Sequence, residues 1–421
     1  MANPILNLGN NEWATKSESL LGYSKSGSNF KPVPFTHSRA SIGTTIDRNG
    51  VLQTEAGNIP RIDFKDNIKG ALLLEPQRTN SELYSEDFIN AAWNKINTTI
   101  ISDDTISPSG ELNADKFART STSGSWMVQS ISKGATATTY TTSAFIKKGS
   151  DNYFAARAQG SYPARLEIRF RFDTEEIYYA QAISGFVLLD YGVENYANDW
   201  YRIYFTYTTD THTSLQIMFS PRATNGNIDS SDTSSSAYAY IWGAQTEQGS
   251  YPTSYIQTEG SAVTRTVDDF ENTDGVSLSG DFTYFVHIKN FDDKTLGNFP
   301  LQFFFRQSAS PFSYFRFLLE GNERFYAQLR DNNTATTVFN QFSDTLSNLG
   351  DNIKLAFAKS GTSCKYYVNG TLVLSSTITD FNYTLNRINH TTGNDQPAKL
   401  SQVMVFDTAL TDEELTTLTT L

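Results

Sequence analysis

The stretch that most restricts what this chain can become is Lys365-Tyr366-Tyr367-Val368-Asn369-Gly370-Thr371-Leu372-Val373. Two β-prone runs flank an Asn-Gly pair, and Asn-Gly supplies the positive-φ positions that a tight hairpin requires. Further on, Lys399-Leu400-Ser401-Gln402-Val403-Met404-Val405-Phe406-Asp407 alternates apolar and polar residues, as a last strand should. Thr411, followed three residues later by Glu414, reads as a capping box. Asp412, Glu413 and Glu414 fall in the first turn, where the helix dipole favours negative charge. A hairpin, a final strand and a short closing helix are therefore predicted.

The chain has 421 residues, enough for two or three domains with separate cores. Its 29 Phe and 22 Tyr, set among abundant Thr, Ser and Asn, are a composition of β structure with polar turns. A formal charge of −12 argues against a nucleic-acid partner, because phosphate binding rests on clustered Lys and Arg. An acidic polysaccharide is disfavoured for the same reason unless a local basic patch exists. The single cysteine, Cys364, cannot form an internal disulfide and reads as a half-buried strand residue. Met1 to Ser28 shows neither a basic start nor a continuous apolar run of the export-signal kind, and no apolar stretch is long enough for a membrane span.

In chain order, residues 1–34 are polar and rich in Gly, Ser and Asn, and read as an extended N-terminal arm that orders against a partner. Residues 35–80 read as a connecting segment of short strands punctuated by Asn49-Gly50 and Pro60. Its Arg39, Arg61 and Arg78 each sit near apolar residues and are expected to make buried bidentate or backbone contacts. Within 81–265, Leu166, Ile168, Phe170 and Phe172 alternate with Arg165, Glu167, Arg169 and Arg171. Tyr201, Ile203, Phe205 and Tyr207 repeat the pattern, and several such strands spaced by turns predict an antiparallel jelly roll. Residues 266–421 supply a second run of strands, with no tandem repeat of the first. The fold class is thus all-β, two antiparallel sandwiches after an extended arm.

The hairpin Tyr367-Val368-Asn369-Gly370, the last strand and Asp407, Ala409, Leu410, Thr411, Asp412, Glu413, Glu414 and Leu415 resemble the C-terminal half of laminin-G-like domains of the concanavalin A-like lectin superfamily. The block from Arg39-Ala40-Ser41 through Pro60-Arg61-Ile62-Asp63 to Gly70-Ala71-Leu72-Leu73-Leu74-Glu75-Pro76-Gln77-Arg78-Thr79-Asn80 resembles a segment of many tailed-phage tail, fibre and appendage proteins. In those proteins it precedes a jelly roll that opens as Tyr84-Ser85-Glu86-Asp87-Phe88 and Ala92-Trp93 do here, and the middle domain resembles jelly-roll carbohydrate-binding modules. The resemblance implies a virion component assembled in the host bacterial cytoplasm. Its expected partners are other virion proteins, met through the arm, and a host-surface glycan. It implies a structural calcium ion without requiring one, for which Glu86, Asp87 and Glu247 are the candidate ligands.

Sugar binding uses aromatic faces for stacking and a few polar side chains for orientation. Trp126, Tyr153, Tyr178 and Tyr179 are the candidate platform, and Arg157, Arg165 and Arg169 the candidate polar contacts. The competing assignment for each aromatic is ordinary packing, and for each arginine a solvated sheet face. Catalytic signatures are absent from the text. His37, His212, His287 and His390 are scattered, Asp210 near His212 is not a zinc site, and Glu175-Glu176 and Asp292-Asp293 read as solvated turns. The expectation is a non-catalytic fibre, appendage or decoration subunit that self-associates and binds a glycan. The alternatives are the glycan-binding part of a secreted polysaccharide-degrading enzyme, or a weak depolymerase.

Overall fold

The computed structural model describes residues 1–26, 29–278, 280–289, 301–306, 314–320, 324–331, 336–345, 352–378, 383–389 and 398–421. The chain divides into two compact units. Unit 1 comprises Met1–Arg48, Thr54–Gln77 and Thr266–Leu421, and unit 2 comprises Asn49–Gln53 and Arg78–Arg265.

Unit 2 is a sandwich of two six-stranded antiparallel sheets. One runs, in spatial order, Asn94–Ile96, Trp126–Ser132, Ser214–Arg222, Tyr153–Gln159, Arg165–Arg171 and Glu176–Ile183; the other contains Thr139–Lys148, Trp200–Thr208 and Tyr238–Gln248. The alternation read from the sequence is the reason. Leu166, Ile168 and Phe170 point into one core with Phe154, Ile203, Phe205, Tyr207 and Ile241, and all are buried. Burying a side chain of this size is worth about 1.5–3 kcal/mol, so one sheet face holds the other.

Unit 1 is also a β structure, and its closing text behaves as its residues dictate. Asn369 has φ 46° and Gly370 φ 81°, the turn that joins Ser363–Val368 to Thr371–Thr377. The Glu414 amide donates to the Thr411 hydroxyl, and the Thr411 amide donates to the Glu414 carboxylate 3.0 Å away, which closes the capping box at the start of helix Asp412–Thr419. The helix lays Leu415 over a small core of Phe285, Ala356, Tyr367, Met404 and Phe406.

The reading of residues 1–34 as a free arm is corrected. Leu6–Gly9 pairs antiparallel with the last strand, Leu6 opposite Val405 and Leu8 opposite Val403, and Ser19–Ser26 pairs with Asn29–Ser38. Leu6, Leu8, Leu20 and Phe35 join the same core as Tyr284, Val286 and Leu355. The cause is a row of unpaired backbone groups on the last strand, which would otherwise be an exposed edge. This stretch is therefore not a detached tether. The segment 35–80 is likewise no mere connector, since Ala71–Leu74 pairs with the other end of the same last strand, Leu74 opposite Ala398 and Leu72 opposite Leu400.

The expected arginine contacts are present. Arg39 donates to the carbonyls of Ser41, Ala56 and Ile59, Arg61 to that of Thr44, and Arg78 to the Tyr251 hydroxyl at 2.9 Å. Arg39 and Arg61 also converge on Asp268 in a buried cluster completed by His37 and Glu75.

Candidate functional site

The pleat of unit 2 sets which residues can meet a ligand. Because Leu166, Ile168 and Phe170 face inward, Tyr153, Ala155, Arg157, Arg165, Glu167, Arg169 and Arg171 face outward on one sheet. Cross-strand register places Arg157 opposite both Glu167 and Met218, and Arg169 opposite both Ala155 and Tyr179. This outward face has two parts.

The first part is covered by residues 223–237, which return over the sheet. Ile228 is fully buried against Ala155 and Met218, with Trp126 and Val128 packed around it. Arg157, 1 % exposed, fastens the loop. Its Nη1 and Nη2 donate to Asp229 at 3.0 and 2.8 Å, and its Nε and Nη2 donate to Glu167 Oε2 at 3.0 and 2.6 Å. Burial alone would lower the Arg157 pKa, but the bonds to Asp229 and Glu167 outweigh it and the net shift is upward. Asp232 holds the far end of the loop, with Arg222 Nε 3.2 Å and Arg119 Nη1 3.7 Å from its Oδ2. Two sequence candidates are thereby reassigned. Trp126 is a packing residue, and Arg157 is a strut whose donors are spent within the protein.

The second part is open and lies toward the edge strand Glu176–Ile183. The register slips between the pairs Arg169–Tyr179 and Phe170–Ile177, so Tyr178 is an inserted, bulged residue. Its ring meets that of Tyr153 edge-on, centroids 5.9 Å apart at 72°. The Arg169 guanidinium lies 3.9 Å from the centre of the Tyr179 ring, and that of Arg171 5.9 Å from Tyr153. Arg169 is itself fixed by Glu167 at 2.8 Å and the Asn225 carbonyl at 3.0 Å, and Arg171 by Asp173. The Tyr178 hydroxyl is buried without a hydrogen-bond partner among the described residues, and burial pushes its pKa up to about 12. Tyr153, Tyr178, Tyr179, Arg169 and Arg171 thus form one patch of half-exposed rings flanked by oriented cations. Arg165 does not belong to it, for it stacks on Tyr162 six residues along its strand from Arg171, roughly 20 Å away.

The three candidate metal ligands do not form one site. Glu86 and Asp87 line a cavity of about 510 Å³ with Asp103, Asp115 and Glu259. Glu247 is fully buried elsewhere, accepting from Gln245 Nε2 at 2.8 Å and from the Thr253 amide and hydroxyl at 2.8 and 2.7 Å. Among the described residues no three His, Cys, Asp or Glu side chains converge as metal ligands. In the cavity, burial raises the Glu86 pKa to about 7 against the hydrogen bond from the Tyr255 hydroxyl, and burial raises Asp115 to about 6. Two carboxyls with raised pKa values thus share one concave site.

Among the described residues the histidines stay apart. His37 is buried against Asp268 and stacked on Phe270, centroids 4.4 Å apart, while His212 bonds only to nearby backbone and Asp210. Glu175 and Glu176 are exposed at a turn. Asp292, Asp293 and His390 lie outside the described residues.

Residues 259–416 match the Concanavalin A-like lectin/glucanases superfamily. The C-terminal part of unit 1 is therefore a lectin-like domain, to which the strands of residues 1–48 and 54–77 are added from outside the matched stretch. A comparison with curated protein sequences gives no match. Among solved structures, the chain is similar to the carbohydrate-binding module CBM40 of a Ruminococcus gnavus IT-sialidase bound to α2,6-sialyllactose, at 14 % identity over 34 % of this chain and 84 % of that one, TM-score 0.28. It is also similar to domains LG4-5 of the mouse laminin α1 chain, at 8 % identity over 67 % and 88 %, TM-score 0.23. A third similarity is to Trypanosoma rangeli sialidase, at 10 % identity over 95 % and 81 %, TM-score 0.26. Likeness at this level carries no argument about ligand or activity.

Proposed function

We propose that this chain is a non-catalytic glycan-binding protein that serves as a structural subunit of a tailed-phage virion. The observation that carries the binding reading is the open patch of unit 2, where Tyr153, Tyr178 and Tyr179 offer ring faces and Arg169 and Arg171 are held ready beside them. Sugars present apolar ring faces that stack on aromatics, and hydroxyls that accept from guanidinium. Prefixed cations and a half-buried aromatic surface lose little entropy on binding. The lectin-like domain of unit 1 supports the same class of ligand.

The virion role rests on the resemblance of the Arg39-to-Asn80 text to tailed-phage appendage proteins. The buried Arg39, Arg61 and Asp268 cluster gives that text a physical role, because Arg39 and Arg61 are struts of the fold. Self-association into a symmetric oligomer would turn weak sugar affinity into avidity.

A glycan array probed with the wild-type chain and with Tyr179→Ala tests the binding reading. Signal on a subset of bacterial surface glycans that Tyr179→Ala loses is expected, and an array blank for both overturns it. Labelled protein sought on purified particles by electron microscopy tests the virion role, and absence from particles overturns that part.

A further inference from the structure

On a chain of net charge −12, one pocket of unit 1 is cationic. It has a volume of about 250 Å³ and is lined by Lys69, Lys289, Lys354, His287, Asn352 and Asn67, with Asn10, Asp66 and Ser401 at its margin. Its construction follows from the pleat. Val286, Ile288, Ile353 and Leu355 turn into the core, so His287, Lys289, Asn352 and Lys354 turn outward together. Register sets His287 opposite Lys354 and Lys289 opposite Asn352 on adjacent strands. The turn at 64–70 brings up the third lysine, with Asn67 as its hub: the Asn67 side chain donates to the Gly70 carbonyl at 3.0 Å and accepts from the Lys69 amide at 3.1 Å.

Positive charges gathered in this way repel one another. Among the described residues no carboxylate relieves the repulsion. Among the described residues none of the three lysines is in an ion pair. Lys69 donates to the Asn10 side chain at 2.9 Å and Lys354 to the Thr420 carbonyl at 2.5 Å, both neutral acceptors. Asp66, the one acid in the lining, is paired with Lys65 at 3.4 Å. His287 is kept neutral, its pKa pushed down to about 4 by burial first and then by the lysines, against the raising effect of its bond to Asn352. Three lysines gathered around one cleft with neutral hydrogen-bond partners make it favourable to an anion.

We propose that this pocket binds an oxyanion carried on a sugar, a carboxylated or sulfated saccharide unit, through Lys69, Lys289 and Lys354. The inference rests on the glycan-binding reading and gives the lectin-like unit its own ligand class. A volume of about 250 Å³ is below the roughly 300–1,000 Å³ of pockets that enclose a drug-sized ligand, so one charged sugar unit is held and the rest of the chain runs outside. Asn10 and residues 66–70 lie outside the stretch 259–416 that matches the lectin superfamily, so part of the lining is added from outside that stretch.

The test is site-resolved NMR of the lysine side chains of the full chain, titrated with tetragalacturonate, a sulfated oligosaccharide, sodium sulfate and uncharged maltotetraose. The expected result is movement of the Lys69, Lys289 and Lys354 signals with both charged saccharides and none with maltotetraose. The Lys69→Gln, Lys289→Gln double variant should bind the charged saccharides about tenfold more weakly or worse, with an unchanged melting temperature. Lysine signals indifferent to every charged probe overturn the inference. A response to sulfate alone overturns its saccharide part, because the pocket then takes a free oxyanion. A blank neutral-glycan array beside a clear lysine response leaves the inference standing and removes the tyrosine patch of unit 2 from the account.

Discussion

Arg61 and Asp268 lie 207 residues apart in sequence and 2.5 Å apart in space, both fully buried. The Asp268 carboxylate also accepts from His37 at 2.9 Å, from Arg39 at 3.1 Å and from the Glu75 amide at 2.9 Å, while Arg61 reaches Glu75 at 2.7 Å. One carboxylate thus ties the early arginine-bearing segment to the start of the C-terminal lectin-like stretch.

Removing one partner leaves buried cations uncompensated. Asp268→Asn is expected to cost about 3–5 kcal/mol, a large share of the stability of a unit this size. Urea unfolding followed by a probe in unit 1 measures it, and a loss below 1 kcal/mol would contradict the account.

The two units should respond to pH in opposite senses. Burial would raise the Asp268 pKa, but Arg61, His37 and Arg39 hold it well below the usual carboxylate range. Its contribution is therefore present above about 3.8, the unfolded value, and is lost in stronger acid. Glu82 in unit 2, 1 % exposed, is pushed up to about 8 by burial from an unfolded 4.5. Its contribution is complete below 4.5 and is lost as pH rises toward 8, and Glu86 and Asp115 add to it with the same sign. Calorimetry should show unit 2 melting at lower temperature at pH 8 than at pH 5, with the slope flattened in Glu82→Gln.

How much of this was legible depends on range. The hairpin at Asn369-Gly370, the capping box at Thr411 and the alternation from Leu166 to Phe172 are local, and each signal names its own geometry. The arginines of the early block could be read as buried, but their shared partner Asp268 could not, because no local pattern links residues so far apart. Strand Leu6–Gly9 was missed because four residues among Asn and Gly carry too little periodicity, and it exists only by pairing with the last strand. The reassignment of Trp126 and Arg157 had one faint signal: Ile228 is the only large apolar residue in a polar loop that also carries Asp229 and Asp232. The bulge that places Tyr178 beside Tyr153 left no mark in the text.

The loop over unit 2 gives a further expectation. Arg157→Met removes a buried cation from between Glu167 and Asp229 and should cost about 2–4 kcal/mol while freeing residues 223–237 to proteases. Asp229→Asn, whose side chain is 46 % exposed, should cost under about 1 kcal/mol and leave the loop in place. Limited proteolysis with mass mapping distinguishes the two.

Loss of the cap is a smaller and cleaner perturbation. Thr411→Ala removes the hydroxyl that receives the Glu414 amide and should lower the stability of unit 1 by about 1 kcal/mol, whereas Thr411→Ser should be neutral. Equilibrium unfolding resolves that difference.

The central claim is binding without cleavage, and light scattering of host-surface polysaccharide mixed with the protein and separated by size reads both at once. The account predicts that protein co-elutes with polysaccharide whose mass stays constant over hours, and that Tyr179→Ala weakens co-elution. Polysaccharide that shortens with time, in a manner lost in Glu86→Gln, would contradict it.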